Sequence, residues 1–164
     1  MSRLFVAIPL SEEMRKNVTA SLHDMKQKGI KGSFVPTQNL HLTLAFIGET
    51  HEVQKTKDAL SAISIKPFRL SLSELGCFGD LLWVGVKGNQ GLNQAARSVR
   101  EALDAAGLPC DKEKFVPHIT LIRKLGGNWK TLTPPKGDMM VKTVSLMKSE
   151  EKNGKRVYTE LLRI

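Results

Sequence analysis

Two four-residue segments of this chain combine a side chain that can transfer protons with one that can donate hydrogen bonds. They are His41-Leu42-Thr43-Leu44 and His118-Ile119-Thr120-Leu121, and each lies shortly after a Phe-Val-Pro tripeptide, at residues 34–36 and 115–117. Successive side chains of a β-strand point to opposite faces. Read as strands, both segments place an imidazole and a hydroxyl on one face and aliphatic side chains on the other. One such segment is most often only a solvated strand face, whereas its recurrence favours a functional site.

The two imidazoles indicate acid–base chemistry on a phosphodiester. The ordinary pKa of imidazole is about 6.5, so near neutral pH one histidine can accept a proton while the other donates one. On opposite sides of a phosphorus atom, such a pair can deprotonate the attacking group and protonate the leaving oxygen, each step contributing roughly 10²–10⁴-fold. Thr43 and Thr120 can donate hydrogen bonds to the non-bridging oxygens, where the transition state concentrates negative charge. This chemistry requires no metal or cofactor, and one histidine per strand is a poor zinc-binding set.

Arg123, three residues after Thr120, is a further candidate. Strand alternation assigns it to the apolar face, where the first segment has Phe46 at the equivalent position. A guanidinium there must either extend its charge along the strand to solvent or enter the cleft after a turn. The first alternative makes Arg123 a charge at the rim. The second makes it a phosphate clamp, a role that suits the planar guanidinium.

Hydrophobic periodicity and turn residues predict the elements that position these segments. Ser11 begins a helix whose apolar positions recur every three or four residues until Gly29. His23 and His51 fall on helices without partner motifs and are predicted to be surface residues. Asn153-Gly154 is a strong hairpin signal. The other predicted elements are strands at residues 3–8, 68–72 and 81–86, helices at residues 51–63 and 89–106, and a last hairpin of residues 139–148 and 156–162.

The same order of elements occurs twice. Strand, helix and histidine strand run from Phe5 to His41, a separation of 36 residues, and again from Trp83 to His118, a separation of 35. Two equivalent lobes related by a pseudo-twofold axis would turn both histidine strands toward a common cleft. The repeat therefore predicts one domain, residues 1–164, built from two interleaved lobes with the imidazoles facing each other.

The composition predicts a folded, basic protein. The chain has 164 residues, of which 41% are hydrophobic and 25% charged, and its formal net charge is +9. A positive field favours an anionic partner. No apolar run approaches the ~20 residues of a membrane span, and no secretory signal is recognisable at the start. Cys77 and Cys110 lack metal or redox spacing and are expected to be free thiols in a reducing compartment, so the cytoplasm is the expected location.

At residues 3–8, 39–49 and 117–123 the chain resembles the 2H phosphoesterase superfamily, named for two His-x-Thr motifs. Within it, the sequence is similar to the RNA 2′,3′-cyclic phosphodiesterases, historically called 2′-5′ RNA ligases. The resemblance implies an α+β fold: a bilobal pseudo-twofold duplication with two antiparallel β-sheets flanking a central cleft and helices packed outside. It also implies hydrolysis of a terminal RNA 2′,3′-cyclic phosphate to a 2′-phosphate, without metal or cofactor.

The resemblance assigns roles to the motif residues. His41 and His118 are the expected catalytic pair, with His118 as the base that activates water and His41 as the acid that protonates the 3′ oxygen. The symmetry of the repeat leaves the reverse assignment open. Thr43, Thr120 and Arg123 are expected to bind the phosphate.

The sequence leaves two residue roles and three alternative activities open. Phe5 and Tyr158 are expected near the cleft as base contacts, although both also fit as strand core. The expected partners are RNA ends or nucleotides with a 2′,3′-cyclic phosphate, bound by a monomer that does not associate with membranes. The alternatives are 2′-5′ RNA ligation, a phosphodiesterase for small cyclic nucleotides, and a non-catalytic RNA- or nucleotide-binding module. Intact histidines and threonines at all four motif positions favour an enzyme.

Overall fold

Nine β-strands and three α-helices form the structure, a computed structural model that describes residues Met1–Ile164. The elements are, in chain order, β1 (Ser2–Pro9), α1 (Glu12–Gln27), β2 (Lys31–Phe34), β3 (His41–Thr50), α2 (Val53–Ser61), β4 (Phe68–Phe78), β5 (Leu81–Val86), α3 (Gln90–Ala105), β6 (His118–Gly126), β7 (Asp138–Val141), β8 (Ser145–Lys152) and β9 (Lys155–Arg163). The two motif segments begin β3 and β6. None of the helices is both long and apolar enough to cross a membrane.

The strands form an antiparallel sheet in the order β7-β4-β5-β6-β3-β1-β8-β9, with β2 paired to β6. Its two halves meet where β3 and β6 pair, at Leu42 and Ile119. Each of these residues directly follows the histidine of its own strand, so the pseudo-twofold axis passes between them. The predicted α+β fold with two antiparallel sheets is confirmed, and the sheets are continuous through this one residue pair.

The helices close the core on the apolar side of the sheet. The side chain of Ser11 accepts a hydrogen bond from the backbone N–H of Met14 and begins α1 as predicted. Asn89 caps α3 in the same way, through the N–H of Leu92. The apolar stripes of both helices join a cluster of 32 buried hydrophobic residues that includes Leu42 and Ile119. The residues adjoining both histidines are thus anchored in one core.

Both histidine strands contain a β-bulge directly after the motif threonine. The extra residue is Leu44 in β3 and Leu121 in β6. An extra residue interrupts the alternation of faces. Phe46 and Arg123 are consequently exposed, Phe46 to 53%. The prediction that Phe46 lies on the apolar face is wrong, because simple alternation does not anticipate the bulge.

The bulges also correct the alignment of the two repeats. Ala7 pairs with Thr43, and Trp83 pairs with Thr120. Ala7, rather than Phe5, is therefore the counterpart of Trp83. The two repeats still correspond, but the alignment of the first strand moves by two residues, from Phe5 to Ala7.

The C-terminal part of the chain differs most from expectation. The sequence predicts residues 139–148 as one strand of a hairpin, but they contribute to two strands in opposite halves of the sheet. β7 pairs with β4, whereas β8 pairs with β1 and β9. The turn between β8 and β9 is as predicted, with φ of 52° at Asn153 and 76° at Gly154. β2, which pairs with β6, is not anticipated by the sequence pattern.

Candidate active site

The two motif histidines are held in the same way. Nδ1 of His41 donates to the carbonyl oxygen of Asn39 at 2.7 Å, and Nδ1 of His118 donates to that of Val116 at 2.6 Å. A carbonyl oxygen can only accept, so Nδ1 carries a proton in both rings and Nε2 is left for chemistry. The backbone two residues upstream thus fixes the tautomer and the orientation of each imidazole.

The Nε2 atoms of the two rings have different surroundings. Nε2 of His41 lies 3.0 Å from Oγ1 of Thr43, whose hydroxyl donates to the neutral ring. No equivalent bond joins His118 to Thr120. In the free protein Nε2 of His41 is therefore already hydrogen-bonded to Thr43, whereas Nε2 of His118 can accept from an external donor such as water.

Burial lowers the pKa of His41 below its ordinary value of 6.5. The hydrogen bond to the Asn39 carbonyl opposes this effect, while the positive charges of Arg123 and His118 lower the pKa further. Charges separated by more than about 8–10 Å are largely screened at ordinary ionic strength. The fold therefore brings both histidines and Arg123 together, although the histidines are 77 positions apart in the chain.

The lowered pKa of His41 predicts how the protein responds to pH. Because the folded value lies below the unfolded value of 6.5, the unfolded chain binds more protons between the two. The free energy of unfolding should therefore fall as the pH decreases through this interval, and less so in His41→Asn. In NMR titrations we expect the His41 ring to titrate below pH 6.5. Its pKa should rise when inorganic phosphate binds, because an anion favours imidazolium. Titration at or above the ordinary value in the free protein would contradict this.

Two backbone irregularities direct Arg123. Leu121 is the extra residue of the bulge, and Lys124 adopts a left-handed conformation with φ of 54°. β2 packs closely on this stretch, since a Cβ on Gly32 would lie 2.7 Å from the carbonyl oxygen of Arg123. The side chain of Arg123 is exposed, and its charge acts on His41. Both properties agree with the alternative in which Arg123 reaches the cleft.

A small pocket adjoins His41 on the β1 side of the cleft. Its lining includes Phe5, Met147 and Tyr158. Tyr158 meets the His41 ring edge-on, with 5.3 Å between ring centroids. Phe5 lies 5.1 Å from the same ring but is only 4% exposed. Phe5 thus supports the imidazole and offers little surface to a base, whereas Tyr158 is the better placed of the two predicted base contacts.

Two other aromatic rings lie beside His118, and sequence reasoning identifies neither. The centroid of Phe78 is 5.4 Å from that of His118, edge-on, and the centroid of Trp83 is 5.9 Å away. Phe78 is 48% exposed. Phe78 lies beyond the strand predicted at residues 68–72, because β4 continues to Phe78, and Trp83 reads as part of an ordinary apolar strand. The one available signal is that Trp83 lies in the strand that precedes the second motif in the repeat.

Arg100, on α3, connects the two histidine strands. Its Nε donates to the carbonyl oxygen of Leu44, the bulge residue of β3, at 3.0 Å. Its Nη1 donates at 2.7 Å to the carbonyl oxygen of Glu113, in the segment that leads into β6. Asp111 lies 3.4 Å from the same guanidinium and accepts a hydrogen bond of 2.9 Å from the backbone of Phe46. One guanidinium therefore sets the position of the segment before β6 relative to β3.

Replacing Arg100 with glutamine should lower both stability and turnover. The carbonyl oxygens of Leu44 and Glu113 lose the guanidinium that donates to them, so we expect the free energy of unfolding to fall by about 2 kcal/mol. Displacement of reacting groups by ~1 Å can cost roughly 10²-fold in rate, and we expect kcat to fall by at least about tenfold. Arg97→Gln removes the same charge from an exposed position of α3 and is the control. Denaturant unfolding and steady-state kinetics that do not distinguish the two variants would contradict this role.

The remaining candidates of the sequence lie outside the cleft residues described above. His23 and His51 are exposed, as predicted. Cys77 and Cys110 are both free thiols. No group of three or more His, Cys, Asp or Glu side chains is arranged to hold a metal ion.

Relatives of this chain are named as phosphodiesterases. An RNA 2′,3′-cyclic phosphodiesterase of Escherichia coli K12 is 32% identical over 170 residues, 98% of this chain and 94% of the relative. That of Archaeoglobus fulgidus is 34% identical over 129 residues, 74% and 72% of the two chains. That of Geobacillus stearothermophilus is 33% identical over 135 residues, which cover 77% of this chain but less than half, 43%, of the relative.

Solved structures share the fold over nearly the whole chain. E. coli LigT in its apo form superposes with a TM-score of 0.86 at 32% identity, covering 99% of this chain and 96% of LigT. LigT complexed with 3′-AMP gives a TM-score of 0.84 with the same identity and coverage. The profile of the 2′-5′ RNA ligase superfamily matches residues 12–153, a range that contains both His-x-Thr motifs. The resemblance drawn from those motifs is confirmed: the chain belongs to the 2′-5′ RNA ligase superfamily, within the 2H phosphoesterases.

Proposed function

We propose that this protein hydrolyses the terminal 2′,3′-cyclic phosphate of RNA to a 2′-phosphate, with His41 and His118 as the acid–base pair. The observation that carries the proposal is the symmetric mounting of the two imidazoles. Each has Nδ1 bound to a backbone carbonyl, and they lie close enough for the charge of His118 to lower the pKa of His41. A binding module would need cations and aromatic rings, but not two titrating groups with fixed tautomers.

The proposed reaction needs only proton transfers. A water oxygen attacks phosphorus, and its proton passes to Nε2 of His118. The bond between phosphorus and O3′ breaks, and O3′ receives a proton from Nε2 of His41, leaving the phosphate on O2′. Two proton transfers of this kind contribute roughly 10²–10⁴-fold each.

The surroundings of the two rings support this direction. The nucleoside carries the leaving O3′, and the pocket lined by Phe5, Met147 and Tyr158 adjoins His41. Water carries no such group, and Nε2 of His118 has no protein partner that would compete with it. The lowered pKa of His41 works against an acid role in the free protein. The negative charge of the bound phosphate opposes that effect and favours the proton that the acid must donate.

The phosphate oxygens are assigned to Thr43, Thr120 and Arg123. The hydroxyl of Thr43 bonds to His41 in the free protein, and protonation of that ring turns Nε2 into a donor and frees the hydroxyl proton for a phosphate oxygen. Arg123 offers a planar set of donors that matches two oxygens at once. Together these groups face the negative charge that develops in the transition state, where fixed donors are most effective.

The substrate class rests on the relatives as well as on the site. Relatives that cover most of this chain are named RNA 2′,3′-cyclic phosphodiesterases, and one E. coli LigT structure is a complex with 3′-AMP, a nucleoside that carries its phosphate on O3′. The net charge of +9 suits an RNA end. We further propose that residues 1–164 act as one catalytic domain and as a monomer. The two free thiols fit a reducing compartment such as the cytoplasm.

Product analysis tests the proposal. The protein is incubated in EDTA with adenosine 2′,3′-cyclic phosphate and, separately, with an oligoribonucleotide that ends in a 2′,3′-cyclic phosphate, and products are identified by ³¹P NMR. We expect 2′-phosphates alone. Release of 3′-phosphates would contradict the assigned bond, and binding of RNA without turnover of either substrate would identify a binding module instead.

A further inference from the structure

We propose that Phe78 and Trp83 form a nucleobase subsite beside His118, for a second nucleoside whose 5′ oxygen lies on that side of the phosphorus. The inference rests on the proposed function, because the subsite is placed relative to the reacting phosphate. It implies that this protein distinguishes phosphodiesters that join two nucleosides from those that carry one.

The subsite is an exposed aromatic surface within reach of the catalytic base. Phe78 is 48% exposed, and its centroid lies 4.9 Å from that of Trp83. Both rings lie close to the His118 ring, at 5.4 Å and 5.9 Å between centroids. A base that stacks on Phe78 would therefore place its own ribose near Nε2 of His118. Such stacking is tolerant of base identity, since every base has a π-face.

The backbone holds this surface rigidly. Gly76 lies within β4 and pairs with Trp83. A Cβ on Gly76 would lie 2.2 Å from the Trp83 ring, so the indole packs flat on a strand that has no side chain there. Gly85, which pairs with His118, is a second, looser approach, since a Cβ there would lie 3.3 Å from the same ring. The indole is thus a rigid neighbour of Phe78, and it loses no conformational freedom when a base binds.

Hydrolysis alone does not require this surface. Water brings no base, and the nucleoside that carries the cyclic phosphate is assigned to the pocket beside His41. A 2′-5′ linkage between two nucleosides would occupy both sides. In its cleavage the ribose 3′ oxygen attacks phosphorus and loses its proton to His41. The bond to O5′ breaks, and O5′ takes a proton from His118, so a 2′,3′-cyclic phosphate and a free nucleoside result.

A ratio of two activities tests the subsite. We compare kcat/KM for cleavage of adenylyl-(2′→5′)-adenosine with kcat/KM for hydrolysis of adenosine 2′,3′-cyclic phosphate, in wild type, Phe78→Ala and Phe78→Tyr. Loss of a stacked base costs roughly tenfold or more, so the ratio should fall by about that factor in Phe78→Ala and return in Phe78→Tyr. Met140→Ala removes an equally exposed apolar side chain, 54% exposed, from β7 and is the control.

The outcomes distinguish failure of the proposed subsite from failure of the proposed function. An unchanged ratio in Phe78→Ala, whether both activities fall together or neither falls, would overturn the subsite and make Phe78 at most a support for His118. Wild-type hydrolysis of the cyclic nucleotide without any cleavage of the dinucleoside would also overturn it. Absence of both activities in wild type would instead overturn the proposed function.

Discussion

Replacement of either His41 or His118 with asparagine should reduce kcat/KM for a 2′,3′-cyclic nucleotide by roughly 10²–10⁴-fold. Each variant removes a proton donor or acceptor while preserving the local structure, because the asparagine amide can still donate toward the carbonyl that accepts from Nδ1 in the wild type. Circular dichroism and thermal unfolding should remain close to wild type. The double variant should lose little more than the worse single variant, since groups that act as a unit are not additive.

The chain contains matched controls for these variants. His23 and His51 are the other two histidines, and both are exposed. Their asparagine variants should keep wild-type kcat/KM within about twofold, as expected for surface substitutions. A catalytic defect in only one of the two motif variants would show that the pseudo-twofold symmetry of the fold does not extend to the chemistry.

Replacement of Arg123 with glutamine should produce the next largest loss, roughly 10²–10³-fold in kcat, the usual effect of removing one donor to a developing oxyanion. The guanidinium carries a charge that a neutral amide does not replace. Because the side chain is exposed, we expect the variant to fold as the wild type does. Arg123→Lys keeps the charge but not the planar fork. It should recover part of the activity and less than full affinity for inorganic phosphate.

A second measurement separates this role from a purely structural one. The charge of Arg123 contributes to the lowered pKa of His41. In NMR titrations Arg123→Gln should therefore raise the pKa of His41, whereas Arg123→Lys should raise it less. Loss of activity without any movement of that pKa would place Arg123 too far from His41 to contact the same phosphate.

The sequence predicts the family of this protein and the strands that carry the motif histidines better than it predicts the detailed geometry. In both copies of His-x-Thr the imidazole and the hydroxyl lie on the same face of the strand. This follows from local sequence alone, because side chains of a strand alternate between its two faces. The helix that begins at Ser11 and the turn at Asn153-Gly154 are likewise predictable, because caps and type I′ turns depend on neighbouring residues. Features of this kind are encoded within a few positions of the chain.

The unpredicted features all depend on contacts between distant segments. The bulges at Leu44 and Leu121 decide which way Phe46 and Arg123 face, and aliphatic side chains give no sign of an extra residue. Arg100 reads as one more polar residue on a helix, and its partners lie as far away as Leu44, 56 positions along the chain. Such positioning residues become visible only once the strands are placed.

A 2′,3′-cyclic nucleotide with sulfur in place of the 3′ oxygen separates the roles of the two histidines in one experiment. A thiolate leaves without a proton, so hydrolysis of this substrate does not require the acid, His41, but still requires the base, His118. We predict that the defect of His41→Asn shrinks by roughly 10²-fold or more on the sulfur substrate, the contribution of the acid step, while the defect of His118→Asn stays as large as on oxygen. Equal defects of both variants on both substrates would contradict a division of labour between the two histidines.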